Sequence, residues 1–216
     1  MSLPMEVNVR CSQCGATLPV TVFESVNTAY AEDIPMQIIT GRLFDVECPH
    51  CREISHLEYD VLYHDMNHNA MVWVIHKNGR TEEEYAAKIA EIRASAPPSY
   101  SMLRFVEDMN GLKEKVCCLE RGRDDRVIEL YKAYSAVNLY SQRPDFVLQD
   151  VFYGSDDGQE TIYLYDTEGR CLCHELMDEA YQLWEKLYRK KAAEFGSNFE
   201  TVDFAWAEAT LAQLAE

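Results

Sequence analysis

An α+β fold is predicted by three observations. Two Cys-x-x-Cys pairs, Cys11-Ser-Gln-Cys14 and Cys48-Pro-His-Cys51, are flanked by short alternating apolar and polar runs. Helical patterns with start and stop signals follow from residue 81. Residues 146–175 then hold three strand-like runs joined by glycine-containing turns. Together these give an N-terminal antiparallel sheet of zinc-ribbon type, followed by an α+β region with a three-stranded meander and several helices.

The first strand signal is the alternation at 7–10, which leads into Cys11. Gly15 directly follows Cys14, where a tight turn needs a residue free to take unusual backbone angles so that amides can point at the sulfurs. Residues 18–24, rich in β-branched and aromatic side chains, read as a strand leaving that turn. Asp33 before Ile34-Pro35 marks a helix start, and Gly41 its end. Residues 43–47 form the strand that delivers Cys48. Runs at 54–63 and 71–75, with Asn67-His68-Asn69 as the turn between them, complete a sheet over residues 6–77.

Asn78-Gly79 is read as a turn, and Thr81 with Glu84 as a capping box opening a helix whose Tyr85, Ile89 and Ile92 share one face. Ala96-Pro97-Pro98-Ser99 stops that helix and is the best linker in the chain, so two domains are expected, 1–96 and 97–216. In the second, 102–106 precedes a helix at 112–119. A longer helix starts at Asp124-Asp125 and is apolar on more than one face, as a buried helix is. The strands at 146–153, 161–166 and 171–175 have turn residues at 154–158 and 167–169. Helices from Met177 to Phe195 and over 199–215 end the chain.

Composition bounds function. The 216 residues are 47% hydrophobic, enough for a buried core, and no run approaches the roughly 18 apolar residues of a membrane helix. The opening Met1-Ser-Leu-Pro-Met5-Glu6 lacks the features of a secretory signal, so a cytoplasmic protein with reduced thiols is expected. The formal net charge of -17 is spread along the chain: 5 Lys+Arg against 10 Asp+Glu in residues 1–80, and 15 against 27 thereafter. Such acidity lacks the electrostatic footprint of nucleic-acid binding and leaves only Arg10, Arg42, Arg52, Lys77 and Arg80 for a basic patch in the first part.

Cys11, Cys14, Cys48 and Cys51 are the predicted metal ligands, with zinc as the metal, because four soft thiolates suit tetrahedral zinc and each short turn aims two sulfurs at one point. A shell filled by four cysteines leaves no open position for water or substrate, so the zinc is expected to be structural. His50 and His56 are the nearest rival ligands. Cys117, Cys118, Cys171 and Cys173 are expected to pack as small apolar residues. No nucleophile–base constellation stands out, and no catalytic residue is assigned.

The segments Cys11-Ser-Gln-Cys14-Gly15, Gly41-Arg-Leu, Cys48-Pro-His-Cys51, Leu62-Tyr63-His64-Asp65 and Asp124-Asp125-Arg-Val-Ile-Glu129 resemble the bacterial CpXC proteins. Ser12 stands where that pattern carries proline and Phe44 where asparagine often follows the leucine; the four cysteines are intact. The resemblance implies a metal-knuckle domain joined to an α+β region, and no particular activity.

The expected function is therefore a zinc-binding, non-enzymatic interaction or adaptor module. Tyr131, Tyr134, Tyr140, Tyr153, Tyr163, Tyr165, Tyr181 and Tyr188 recur in the second part; one sheet face is expected to pack on the helices with its tyrosine hydroxyls at the rim, and the exposed remainder of this acidic, tyrosine-rich surface to meet a protein partner or a second copy. The alternative is a hydrolase, metal-independent or with a second metal, using a cleft near His64 and Asp65. Nucleic-acid binding through the ribbon ranks below both.

Overall fold

The structure, a computed structural model, describes residues 3–77, 79–97, 99–156, 158–192 and 198–214. Asn78, Pro98, Asp157, the helix end expected at Phe195 and the terminal Ala215 lie outside the described residues. The chain forms two compact units, Met1–Val116 with Ser197–Glu200, and Cys117–Gly196 with Thr201–Glu216.

In the first unit, β1 (Leu3–Arg10) and β2 (Thr17–Asn27) form an antiparallel hairpin, with Met5 opposite Val22 and Arg10 opposite Thr17. After the short α1 (Ile34–Ile39) comes a second hairpin, β3 (Asp45–Glu47) with β4 (Ile54–His56). The strands β5 (Val61–Asp65) and β6 (Ala70–Val74) make a third antiparallel pair. The helix α2 (Glu82–Ala94) then leads to β7 (Met102–Val106). As expected, Thr81 caps α2: its hydroxyl accepts from the Glu84 amide at 3.2 Å, and its own amide donates to the Glu84 carboxylate at 2.8 Å.

The main sheet runs β1-β2-β5-β6-β7, with a short strand at Glu200 beyond β7. It is not antiparallel throughout. Ser25 of β2 lies opposite Leu62 of β5 in a parallel pair, and Ala70 of β6 opposite Met102 of β7 in another. A parallel join needs a long crossover, which the excursion through α1 and the second hairpin supplies in one case and α2 in the other. Pro97 accordingly lies inside this unit, between α2 and the strand that returns to the sheet, while the compact units divide at Val116 and Cys117. Ile75, Ile92, Leu103, Phe105 and Phe199 form a core cluster, against which Tyr85 and Ile89 of α2 pack.

The second unit follows along α3 (Met109–Glu120), which carries the chain across the division. Its elements are α4 (Asp125–Gln142), β8 (Leu148–Asp156), β9 (Gln159–Asp166), β10 (Cys171–Glu175), α5 (Asp178–Ala192) and α6 (Phe204–Leu214). The three strands are the expected antiparallel meander in the order β10-β9-β8, with Gly158 (φ +88°) at its first turn. The helix α4 packs on β8, α5 and α6, and buries Val127, Ile128, Leu130 and Ala133. The final helix starts five residues later than its apolar pattern suggests, at Phe204 and not 199, because Phe199 belongs to the first unit's core, its ring tilted against Phe105 with centroids 5.1 Å apart.

Arg123, just ahead of α4, ties β9 to α5. Its guanidinium donates to both oxygens of Glu160 on β9 (2.9 and 2.5 Å) and to Asp178 of α5 (2.8 Å), and lies 4.3 Å from the centre of the Tyr181 ring. The Tyr153 hydroxyl also donates to Glu160. Cys117 and Cys118 are buried as expected, but Cys171 and Cys173 are exposed. Their strand β10 is the outer strand of the meander, and the face that carries both cysteines is turned to solvent.

Candidate metal centre

Each cysteine pair sits in the turn of a hairpin, the first between β1 and β2 and the second between β3 and β4. The two turns are closed by the same pair of backbone hydrogen bonds. Cys11 N–H donates to the Ala16 carbonyl (2.8 Å) and Gly15 N–H to the Cys11 carbonyl (2.9 Å). Correspondingly, Cys48 N–H donates to the Glu53 carbonyl (2.8 Å) and Arg52 N–H to the Cys48 carbonyl (2.8 Å). The residue four places after each leading cysteine is left-handed: Gly15 at φ +74° and Arg52 at φ +65°. Sequence reasoning found the glycine and missed the arginine, since nothing about an arginine advertises that conformation.

The two turns bring the four sulfurs within 4.8 Å of one another. Cys11 Sγ lies 3.6 Å from Cys51 Sγ, and Cys14 Sγ 3.7 Å from Cys48 Sγ, so each sulfur has a close neighbour in the other turn. Four sulfurs placed about 2.3 Å from a common centre form a tetrahedron with edges of about 3.8 Å. These two separations are close to that figure and are far too long for a disulfide, whose S–S bond is about 2.05 Å. The donor set thus fits a tetrahedral metal ion. Cys11 and Cys48 are buried over Leu18, Ala16 and Val20, while Cys14 and Cys51 face outward.

Electrostatics make the same point. The Cys14 amide holds the Cys11 thiol down at about 7. At Cys51 the Glu53 amide pulls downward, yet burial and the three other sulfurs push the thiol up to about 12. Four sulfurs this close cannot all carry negative charge unless a cation sits among them.

The histidines nearby are engaged elsewhere. His56 is hydrogen-bonded to Asp45 at 2.9 Å, its partner across the second hairpin, and packs edge-on against Phe44; His50 is exposed. Neither belongs to the sulfur cluster.

His64 and Asp65 are adjacent on β5 and therefore point to opposite faces of the sheet, and the structure does not bring them together. His64 Nδ1 is 3.0 Å from the Asn27 amide nitrogen and its Nε2 is 2.5 Å from the Tyr100 hydroxyl. Burial holds the His64 imidazole below its usual range. Asp65 is fully buried and accepts from the Tyr63 hydroxyl (2.8 Å), His68 Nδ1 (2.9 Å), and the amides of Asn67 (2.9 Å) and His68 (3.0 Å). That makes it the organiser of the 66–69 turn, the role Asp166 plays at the end of β9 by accepting from the amides of Glu168 and Arg170.

A groove of about 940 Å³ lies along the first hairpin, lined by Val7, Val9 and Val22 with Trp73 and the Asp60–Arg80 ion pair. No described helix is long and apolar enough to cross a membrane.

A family model described as CpXC protein matches residues 9–132, more than half of the 216-residue chain, and spans both cysteine pairs. No curated protein and no solved structure gives a significant match.

Proposed function

The chain belongs to the CpXC protein family, and from that premise we propose that it is a non-enzymatic protein-interaction module stapled by one structural zinc ion. Cys11, Cys14, Cys48 and Cys51 would hold the ion, and the observation that carries this reading is the gathering of their four sulfurs within 4.8 Å by two like-built turns. Thiolate sulfur favours zinc over the harder divalent cations. With all four positions filled by protein, the metal's part would be to tie the first hairpin to the second, a contribution to folding and not to chemistry. Four reduced thiols suit the cytoplasm.

The interaction surface we assign lies on the second unit, on the apolar and aromatic side chains that α4 and α5 expose among the described residues. Val137, Tyr140 and Leu187 are each more than 60% exposed, beside the Tyr134–Trp184 contact with ring centroids 4.8 Å apart. Contiguous exposed apolar side chains rimmed by charge are the usual mark of a protein-binding patch, and tyrosine and tryptophan supply contact area at low entropic cost. The net charge of -17 argues against nucleic acid as the partner.

The test compares partners cross-linked to the wild-type chain with those cross-linked to a Val137→Asp/Tyr140→Asp variant, with metal content and circular dichroism measured on both. A partner captured by the wild type and lost by the equally folded variant supports the reading. Identical capture by both proteins contradicts it.

A further inference from the structure

We infer that β1 is a self-association strand, which pairs antiparallel with the β1 of a second copy across a two-fold axis at Asn8. This goes beyond the function proposed above, since it concerns a different unit and a different partner.

The first observation is that, among the described residues, β1 is a free edge. It is the outermost strand of the main sheet, and Pro4, Met5, Glu6, Asn8 and Arg10 are exposed along it. A strand of this length at a sheet edge presents unpaired N–H and C=O groups, a ready template for another strand.

The second observation fixes which groups are unpaired. In an antiparallel hairpin, alternate residues direct both N–H and C=O toward the neighbouring strand and the others direct both away. Cys11 N–H points inward, to the Ala16 carbonyl at 2.8 Å. Phe23, opposite Pro4, sends its N–H the other way, to the Tyr59 hydroxyl at 3.4 Å. Pro19, which has no N–H to give, is opposite Asn8. All three agree that the odd residues of β1 bond to β2, and that Glu6, Asn8 and Arg10 offer their N–H and C=O to the outside. Pro4 offers only its C=O.

The third observation is charge. An antiparallel two-fold pairing centred on Asn8 sets Asn8 opposite the partner's Asn8, and Glu6 opposite the partner's Arg10. In this register every outward N–H of Glu6, Asn8 and Arg10 meets an outward C=O, and the two ends each gain an opposite-charge cross-strand pair. Centring the axis on Glu6 or on Arg10 instead would set like charges face to face. The exposed charges that normally guard a sheet edge are thus placed here so that they guard against other strands and complement a second copy. Arg10, whose guanidinium lies beside Gly15 in the single chain, swings outward to make the pair. On the opposite face, Val7 comes beside the partner's Val9, which extends the apolar wall of the groove along β1.

Isologous pairing of this kind gives a closed dimer and leaves no edge of β1 open for further growth. The chain's large negative charge opposes association, so the measurement belongs at physiological ionic strength. By sedimentation equilibrium with zinc content assayed on the same samples, the wild-type chain should weigh twice its 24.9 kDa. Asn8→Pro removes an outward N–H without touching the β1–β2 ladder and should give the monomer with zinc retained. Glu6→Arg should weaken the dimer about tenfold or more, and Glu6→Arg/Arg10→Glu should restore it. A wild-type monomer at all accessible concentrations, or a dimer unchanged by both Asn8→Pro and Glu6→Arg, would overturn the inference. Dimerisation without zinc would leave it standing while removing the metal reading.

Discussion

Gly15 and Arg52 hold equivalent places in two turns that share no sequence beyond their cysteines: each is left-handed, and each donates its amide to the carbonyl of the cysteine four residues earlier. The backbone geometry of a metal knuckle is therefore imposed twice, once where the residue tolerates it and once where it does not.

A pair of opposite substitutions tests this. Gly15→Ala should destabilise the protein by about 1 kcal/mol, because its φ of +74° is unfavourable to any Cβ although the nearest side-chain atom, on Arg10, is 3.5 Å away. Arg52→Gly should be neutral to stabilising by about 0.5 kcal/mol, as relief of the left-handed strain outweighs the added freedom of the unfolded chain. The Arg52–Glu47 ion pair lost with it is exposed, with 81% and 50% of the two side chains accessible, and is worth little. Urea denaturation of the two variants should move in opposite directions; equal losses would show that the left-handed position is not what limits the turn.

Removing a ligand should do more than removing a packed cysteine. Structural zinc contributes on the order of 10–16 kcal/mol through four ligands, so Cys48→Ser should cost about 3 kcal/mol or more and lower the bound zinc. The control, Cys117→Ala, removes a buried sulfur outside the cluster and should leave zinc content unchanged. Loss of zinc from both variants would mean the ligands are misassigned.

The Arg123 hub predicts a second loss, in the other unit. Arg123 and Glu160 have side chains only 15% and 12% accessible, so Arg123→Ala strands a poorly solvated carboxylate and should cost about 3 kcal/mol. Glu160→Gln should cost less, about 1–2 kcal/mol, since the amide keeps part of the hydrogen bonding. Thermal melts should rank the two in that order.

Acid stability follows from the same carboxylate. Burial pushes the Glu160 carboxyl up, but the Arg123 guanidinium and the Tyr153 hydroxyl outweigh it and hold the group below its ordinary 4.5. Asp65 is likewise held below 3.8: burial raises it, and His68 and Tyr63 together lower it further. A depressed folded pKa stabilises above the unfolded value and loses that contribution as pH falls through the folded one. Stability should therefore drop as pH falls below about 4.5, and the slope should be shallower in Glu160→Gln. An identical pH dependence in that variant would exclude Glu160 as a source.

Much of this was legible in the residues. The two cysteine pairs, Gly15, the Thr81–Glu84 box and the glycine-bearing turns of the meander each state their local geometry through chemistry that acts within a few residues, and each appears as read. What the sequence did not disclose was long-range. The helix α2 ends at Ala94, ahead of Pro97, as the sequence requires, but nothing local says that β7 returns to pair with β6. The hub at Arg123 joins residues up to 58 positions apart, 123 and 181, and the exposure of Cys171 and Cys173 depends on β10 being the outer strand of its sheet. At the candidate metal centre the two cysteine pairs that cluster were plain in the sequence, whereas Arg52 was invisible because its role runs against its residue type.

The central claim is a four-thiolate zinc, and zinc K-edge X-ray absorption on the reduced, as-purified protein tests it most directly. The account predicts one zinc per chain with four sulfur neighbours at about 2.3 Å and no nitrogen or oxygen in the first shell. A folded protein without metal, or a zinc bound through histidine or carboxylate, would contradict it.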